Sequence, residues 1–157
     1  MNFIVFRNRF LSLACFTTNQ VYATYPDFNR NNLGHWVRQG YLVRLRQGYY
    51  TFPEFRESAE FTHYFANIIY KPSYISLQTA LSFYGIIPEA VPKITSVSTL
   101  KTITFNNDFG EYSYKNIKPE LMFGYDLKEM EGGRRIMMAT PEKALIDLLY
   151  LYPIYNT

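Results

Sequence analysis

Residues 29–52 have the sequence NRNNLGHWVRQGYLVRLRQGYYTF, which predicts an α-helix followed by a β-hairpin. In the first half, Leu33, Trp36 and Val37 recur at helical spacing and form one apolar face. Asn29 is suited to cap the helix, because its side chain can accept a hydrogen bond from a free N–H of the first turn. The opposite, polar face of the predicted helix carries Asn31, His35 and Arg38.

The second half of this stretch alternates between apolar and polar residues, as a β-hairpin does. The alternation continues on both sides of Gln47-Gly48, a turn that contains glycine. Gly40 separates the hairpin from the helix, because glycine commonly follows the last helical residue. We expect Arg44 and Arg46 to point outward from the hairpin and to lie beside the helix.

Positive charge is concentrated at the N-terminal end of the chain. Residues 1–53 contain six arginines and one acidic residue, Asp27, which gives a net charge of +5. The whole chain carries +3, so residues 54–157 carry −2. Arginine is suited to bidentate contacts with phosphate and guanine. The asymmetry therefore indicates a polyanionic partner for the N-terminal third alone.

Two shorter helices are predicted before this stretch. The first is amphipathic and covers residues 3–13, because apolar side chains recur there at spacings of three and four. The second is short and can be capped by Thr17 or Thr18. The apolar side chains of the first helix are Phe3, Phe6, Phe10 and Leu13.

A helix, a short helix, a longer helix and a hairpin follow one another in a winged helix-turn-helix, which we predict for residues 1–53. In that fold the third helix enters the major groove of double-stranded DNA, and the hairpin lies along the flanking backbone or minor groove. The predicted DNA-binding residues are Arg30, Asn31, His35, Arg38, Arg44, Arg46 and Gln47.

Residues 54–157 are predicted to form a second domain of helices and an antiparallel sheet, so the whole chain is predicted to be α+β. Helical patterns occupy residues 54–70 and the segment from Leu77 to Gly85. Turn signals separate the predicted strands. These strands are residues 94–97, 102–105, 112–117, 121–123 and 135–138.

Thr140-Pro141 predicts the start of a last helix, because a capping hydroxyl is followed there by proline at the first helical position. Lys143 and Asp147 are four residues apart in this helix and can pair. A stripe of side chains is predicted to face the core: Leu145, Leu148, Leu149 and Tyr152.

Three blocks of the sequence resemble the AbiEi-type antitoxin family of type IV toxin–antitoxin systems. NLGHWVRQGYLVRLRQGYY (residues 32–50) is similar to the family's recognition helix and wing. PSYISLQTALSFYGIIP (residues 72–88) and ATPEKALIDLLY (residues 139–150) are similar to two blocks of its second domain. The blocks occur in family order and span nearly the whole chain.

This resemblance implies a transcriptional repressor that binds repeats near its own promoter. It also implies an antitoxin that counteracts a nucleotidyltransferase-like toxin encoded beside it. Similar proteins usually continue well past the helix that begins at Thr140. We therefore expect the second domain to be shortened at its C-terminus.

Two other functions are alternatives to DNA binding. A metal-dependent nuclease is the first, because Asp108 and Asp126 could hold a hard cation while Lys128 stabilises the attacking water or leaving oxygen. That site requires both carboxylates to meet in space. The second alternative is a non-catalytic scaffold for protein interactions, against which the arginine asymmetry argues.

Several classes of site and location are not indicated by the sequence. Cys15 is the only cysteine, so neither a disulfide framework nor a thiolate metal cluster is predicted. No glycine-rich phosphate loop or nucleophile with a nearby base is recognisable, and we predict a non-enzymatic protein without a cofactor. No apolar stretch approaches the roughly 18 residues of a membrane span, and no signal peptide is recognised. A cytoplasmic location is expected.

Overall fold

The computed structural model describes residues 1–88 and 93–153, so the end of the second predicted domain, residues 154–157, lies outside the described residues. The N-terminal elements are α1 (Phe3–Phe10), β1 (Cys15–Thr17), α2 (Thr18–Thr24), α3 (Asn31–Arg38), β2 (Val43–Arg46) and β3 (Tyr49–Thr51). The C-terminal elements are α4 (Ala59–Ile68), β4 (Ser73–Ile75), α5 (Leu77–Phe83), β5 (Lys93–Ser98), β6 (Ile103–Asn107), β7 (Gly110–Asn116), β8 (Tyr125–Glu129), β9 (Arg135–Ala139) and α6 (Pro141–Leu151).

Aromatic side chains form the core of the N-terminal elements. The centroid of the Phe6 ring lies 4.7 Å from that of Phe10, 4.8 Å from that of Trp36 and 5.4 Å from that of Phe16. These rings join α1, α3 and β1 in one buried cluster. The first predicted helix is therefore confirmed, although it ends at Phe10 and leaves Leu13 exposed.

Local hydrogen bonds determine where the N-terminal helices begin and end. Thr17 and Gln20 form a capping box at the start of α2, with the Thr17 N–H donating to Gln20 Oε1 at 2.8 Å. Asn29 Oδ1 accepts from the Asn31 N–H at 3.0 Å, as predicted for the start of α3. Gly40 follows α3 with a φ of +80°, a conformation that favours glycine.

The predicted hairpin is confirmed as β2 and β3, and a third strand joins it. The sheet has the order β1-β3-β2 with antiparallel neighbours. Strand β1 was not predicted, because three residues are too few to show an alternating pattern.

The chain is α+β, as predicted, but the C-terminal sheet is mixed, so the prediction of an antiparallel sheet is correct only in part. Its six strands have the order β6-β7-β5-β4-β9-β8. Strand β5 is parallel to β7, and β4 is parallel to β9. Short turns join only β6 to β7 and β8 to β9, and turn signals in a sequence reveal only such antiparallel neighbours.

One predicted strand is misplaced. Leu121 ends a 3₁₀ turn that begins at Pro119, residues 122–123 follow that turn, and the strand begins later, at Tyr125. Gly124 lies between them with a φ of +79°. A Cβ at this position would come within 2.7 Å of Lys143 Cγ, so glycine lets the chain pass close to α6. The short strand β4 was not predicted either.

Helices α4 and α5 lie on opposite faces of the six-stranded sheet. The Tyr114 hydroxyl on β7 donates to the carbonyl of Ala66 in α4 at 2.6 Å. On β5, Ser96 is the register partner of Tyr114 and faces the same side of the sheet. The residue before it, Thr95, therefore faces the other side. The Thr95 hydroxyl donates there to the carbonyl of Ser76, before α5, at 2.7 Å. None of the helices in residues 1–88 and 93–153 combines the length and apolarity needed to cross a membrane.

Helix α6 buries an ion pair. Lys143 and Asp147 are 3% and 1% exposed, and Lys143 Nζ donates to Asp147 Oδ1. Asp147 Oδ2 accepts from the Ser76 hydroxyl at 2.7 Å and from the Tyr74 hydroxyl at 2.9 Å. Burial, together with the charge of Asp147, raises the pKa of Tyr74 well above its ordinary value, so the phenol stays protonated and donates.

The predicted pairing of Lys143 with Asp147 is therefore confirmed, whereas the predicted core stripe of α6 is wrong in part. Of the predicted residues, Leu145 is exposed, whereas Leu148, Leu149 and Tyr152 are half-buried. The helix turns its charged side toward the sheet because Tyr74 and Ser76 offer partners there. The spacing of the leucines alone does not reveal those partners.

Asp147→Ala is expected to lower the free energy of unfolding by about 3–5 kcal/mol, because Lys143 would be left buried without a counter-charge. Glu142→Ala is the matched control, since this acidic residue is exposed on the same helix and its loss should cost within about 0.5 kcal/mol. Urea unfolding of both variants measures the difference. A loss below about 1 kcal/mol for Asp147→Ala would contradict the importance of the pair.

Candidate nucleic-acid interface

An open groove of ≈ 510 Å³ lies between α3 and the β2–β3 hairpin, and we refer to it as the α3–hairpin groove. Three of the eight residues lining it are arginines and none is acidic, so the groove favours an anionic ligand. The lining residues are Arg30, Asn31, Gly34, Arg38, Arg44, Gln47, Gly48 and Tyr50.

The pattern of α3 builds one wall of this groove. Leu33 and Trp36 are buried in the aromatic core, which leaves the other side of the helix free. Asn31, Gly34 and Arg38 occupy that side at spacings of three and four residues. Arg38 Nη1 lies 3.5 Å from the position that a Cβ would occupy at Gly34, so the Arg38 guanidinium lies across the glycine.

The hairpin builds the opposite wall and is anchored at both its strand and its turn. Strand β3 pairs with β1, and the Gly48 carbonyl accepts a hydrogen bond from the Thr18 N–H at 3.1 Å. Arg44 is exposed, and its guanidinium carbon lies 5.7 Å from the centroid of the Tyr50 ring. This cation–π contact orients Arg44 on a buried ring while leaving its donors accessible.

Arg46 does not lie beside α3, which corrects the expectation that both hairpin arginines point to the helix. The pairing of β2 with β3 is irregular: Arg44 is opposite Tyr50 and Arg46 is opposite Tyr49, so Leu45 is the extra residue. Arg46 is partly buried and donates from Nη1 to the Ile69 carbonyl at 2.8 Å.

Aromatic rings hold the rest of the Arg46 guanidinium. Its central carbon lies 4.5 Å from the ring centroid of Phe105, 5.5 Å from that of Tyr49 and 5.8 Å from that of Tyr70. Its Nε is buried without a hydrogen-bond partner among the described residues. Arg46 therefore attaches the hairpin to the C-terminal elements.

Five of the seven residues predicted to bind DNA line the groove, namely Arg30, Asn31, Arg38, Arg44 and Gln47. His35 is exposed on α3 but is not a lining residue. Gly34, Gly48 and Tyr50 also line the groove, although they are not among the predicted residues. A glycine inside a helical pattern is a signal of close approach, and Gly34 could have been recognised on that ground.

The two remaining N-terminal arginines lie outside this lining. Arg7 pairs with Glu54, and Arg9 is exposed on α1. Partial burial raises the pKa of Glu54, but hydrogen bonds from Arg7 and from the backbone, with the charge of Arg7, lower it by more. The net pKa is below the ordinary value, so Glu54 stays ionised and neutralises part of the N-terminal charge.

The carboxylates of the nuclease alternative do not meet. Asp108 lies in the turn after β6, and Asp126 lies on β8. These strands are at opposite edges of the six-stranded sheet, five strand intervals or about 24 Å apart. Asp108 instead lies 3.5 Å from Arg56, and Asp126 lies 4.0 Å from Lys128. The requirement that both carboxylates hold one cation is therefore not met.

The chain matches no protein-family model, and no curated protein is similar to it at a significant level. The candidate site is therefore defined by its own geometry, a groove with three arginines bordered by the polar side of a helix and by a hairpin.

Proposed function

We propose that the chain is a sequence-specific binding protein for double-stranded DNA, with a winged helix-turn-helix in residues 1–53. The observation that carries the proposal is the α3–hairpin groove, which brings Arg30, Arg38 and Arg44 together without an acidic residue. Phosphate contacts from such residues supply a large share of the affinity of DNA-binding proteins.

Helix α3 is the proposed recognition helix. An α-helix with its side chains is about 10–12 Å wide and fits a major groove of about 12 Å. Asn31 and Arg38 are on its exposed side, and these residue types pair bidentately with adenine and guanine respectively. Gly34 lies between them, and the absence of a side chain there leaves the space in which the Arg38 guanidinium lies.

The hairpin and the residue before α3 are proposed to hold the DNA backbone. Arg44 and Gln47 border the groove on the hairpin side, and Arg30 immediately precedes α3. Contacts of this kind determine the register of a protein on the duplex without distinguishing its sequence. Arg46 is not part of the proposed interface, because its guanidinium donates to the Ile69 carbonyl and packs against the Phe105 ring.

We extend the proposal to an antitoxin that represses its own operon and counteracts a nucleotidyltransferase-like toxin. This part rests on the resemblance of residues 32–50, 72–88 and 139–150 to the AbiEi-type family. It requires binding free energy alone, with no covalent step and no cofactor. Access to the operon implies a cytoplasmic location.

The affinity for duplex DNA should fall as the salt concentration rises. A plot of log K against log salt should have a slope of about −3, because three arginines release about three counterions. Arg44→Ala should make the slope shallower by about 1. Arg9→Ala is the control, because Arg9 is exposed on α1 and lies outside the groove lining, and it should leave the slope unchanged. Fluorescence anisotropy at several salt concentrations measures all three proteins, with circular dichroism as the test of folding. A slope near zero for the unchanged chain would remove the DNA-binding proposal.

Asn31→Ala and Arg38→Ala should each cost about 1–3 kcal/mol on the preferred DNA site and reduce discrimination between sequences. Arg44→Ala should weaken binding to all sequences by a similar factor, because a phosphate contact carries no sequence information. Selection from a random duplex library, followed by competition binding, compares the variants. The reverse pattern would mean that the hairpin, and not α3, reads the bases.

The antitoxin role predicts that this chain restores the growth of cells that express the neighbouring toxin from an unrelated promoter. Arg38→Ala/Arg44→Ala serves as the comparison variant, because it should lose repression of the operon while retaining any neutralisation that does not depend on DNA. Growth curves and a promoter-reporter assay measure the two activities separately. Repression without restored growth would leave the DNA-binding proposal intact and remove the antitoxin role.

A further inference from the structure

The two edges of the six-stranded sheet differ in how they are covered. Strand β6 forms one edge, and the chain itself covers it: β2 packs against β6, and Asn107 Nδ2 donates to the Leu45 carbonyl at 2.9 Å. Strand β8 forms the other edge and pairs with β9 alone among the described strands. An uncovered edge strand is a template for pairing with another chain.

The hydrogen bonds of β8 with β9 determine which of its backbone groups face outward. The Met130 N–H donates to the Arg134 carbonyl, and the Thr140 N–H donates to the Gly124 carbonyl, each at 2.9 Å. Antiparallel pairs alternate, so positions 126 and 128 also direct their backbone groups to β9. The N–H and C=O groups of positions 125, 127 and 129 therefore point away from the sheet.

The charges along β8 are self-complementary about Leu127. The strand has the sequence YDLKE (residues 125–129), with Asp126 before and Lys128 after the central leucine. If a second β8 strand pairs antiparallel with Leu127 opposite Leu127, each Asp126 faces Lys128 of the other copy. These two pairs occupy positions without cross-strand hydrogen bonds, where Cα atoms approach to about 4.5 Å and side chains are closest.

We propose that two copies of this chain associate through their β8 strands, antiparallel and related by a two-fold axis at Leu127. The outward backbone groups of positions 125, 127 and 129 pair across the axis, and two Asp126–Lys128 pairs fix the register. The two six-stranded sheets then continue as one sheet of twelve strands.

Apolar side chains border the same edge. Leu127 is 51% exposed, Phe123 just before β8 is 55% exposed, and Phe83 at the end of α5 is 54% exposed. Lys128 connects β8 with the end of α5, because its Nζ lies 5.8 Å from the centroid of the Phe83 ring. Burying these side chains adds a hydrophobic contribution to that of the backbone pairing.

Charged residues on an edge strand commonly prevent pairing between copies. Like charges that face one another across a strand pair are destabilising, whereas opposite charges are stabilising. Here the symmetric register places opposite charges together, whereas a shift by two residues would place Lys128 opposite Lys128 or Asp126 opposite Asp126. The pattern therefore selects one register and is not a general barrier to association.

Sedimentation equilibrium of the full chain over a concentration series tests the proposal. The unchanged chain is expected to reach a mass twice the 18.5 kDa of one copy. Asp126→Lys and Lys128→Asp should each raise the dimer dissociation constant about tenfold or more, because each replaces two attractive pairs with two repulsive ones. Mixing these two variants should restore the doubled mass, since a strand with two lysines then meets a strand with two aspartates. The double variant Asp126→Lys/Lys128→Asp should also dimerise.

Leu127→Pro is a second test, because it removes an outward N–H that β9 does not use, and proline is tolerated on an edge strand. It should be monomeric with an unchanged circular dichroism spectrum. A monomeric unchanged chain at hundreds of micromolar would overturn the proposal, as would single charge variants that remain dimeric or a mixture that remains monomeric. None of these substitutions touches the α3–hairpin groove, so DNA affinity can be measured independently on every variant.

Discussion

The irregular pairing between β2 and β3 is the constraint on which the arrangement of both sheets depends. One extra residue, Leu45, separates Arg44 from Arg46 and sends the two guanidinium groups to different surroundings. Arg44 borders the α3–hairpin groove, while Arg46 lies on the other side of the hairpin, against Phe105 of β6 and Tyr70. Without the bulge, Arg44 and Arg46 would lie on the same face of the hairpin. Only one of the two contacts, with the groove or with the C-terminal elements, could then be made by these side chains.

This double role links the groove to the C-terminal elements. The hairpin is held from one side by β1 and from the other by the Ile69 carbonyl and by Asn107. A wall attached at both sides keeps its shape without a ligand, so little conformational entropy is lost when a ligand binds. The groove is thus preorganised by residues that do not line it.

Much of the N-terminal arrangement could be predicted because its signals are local. The cap at Asn29, the glycine at position 40 and the apolar side of α3 all act within a few residues of one another. The direction of Arg46 could not be predicted, because strict alternation places it on the side of Arg44 and only the pairing with β3 shows the extra residue. The orientation of α6 could not be predicted for a similar reason. The hydrogen-bond partners of Asp147 are Tyr74 and Ser76, about seventy residues earlier in the chain. The parallel strand pairs also depend on distant segments.

The covered β6 edge limits what the sheet can do beyond its own chain. A sheet with two free edges can add copies at both edges and grow into an open fibre. A sheet with one free edge can pair only with the same edge of a second copy, which gives a closed dimer. Because β2 and Asn107 block the β6 side, edge-to-edge association through this sheet is closed at two copies. The hairpin that borders the groove thereby also protects the protein from polymerisation along this sheet.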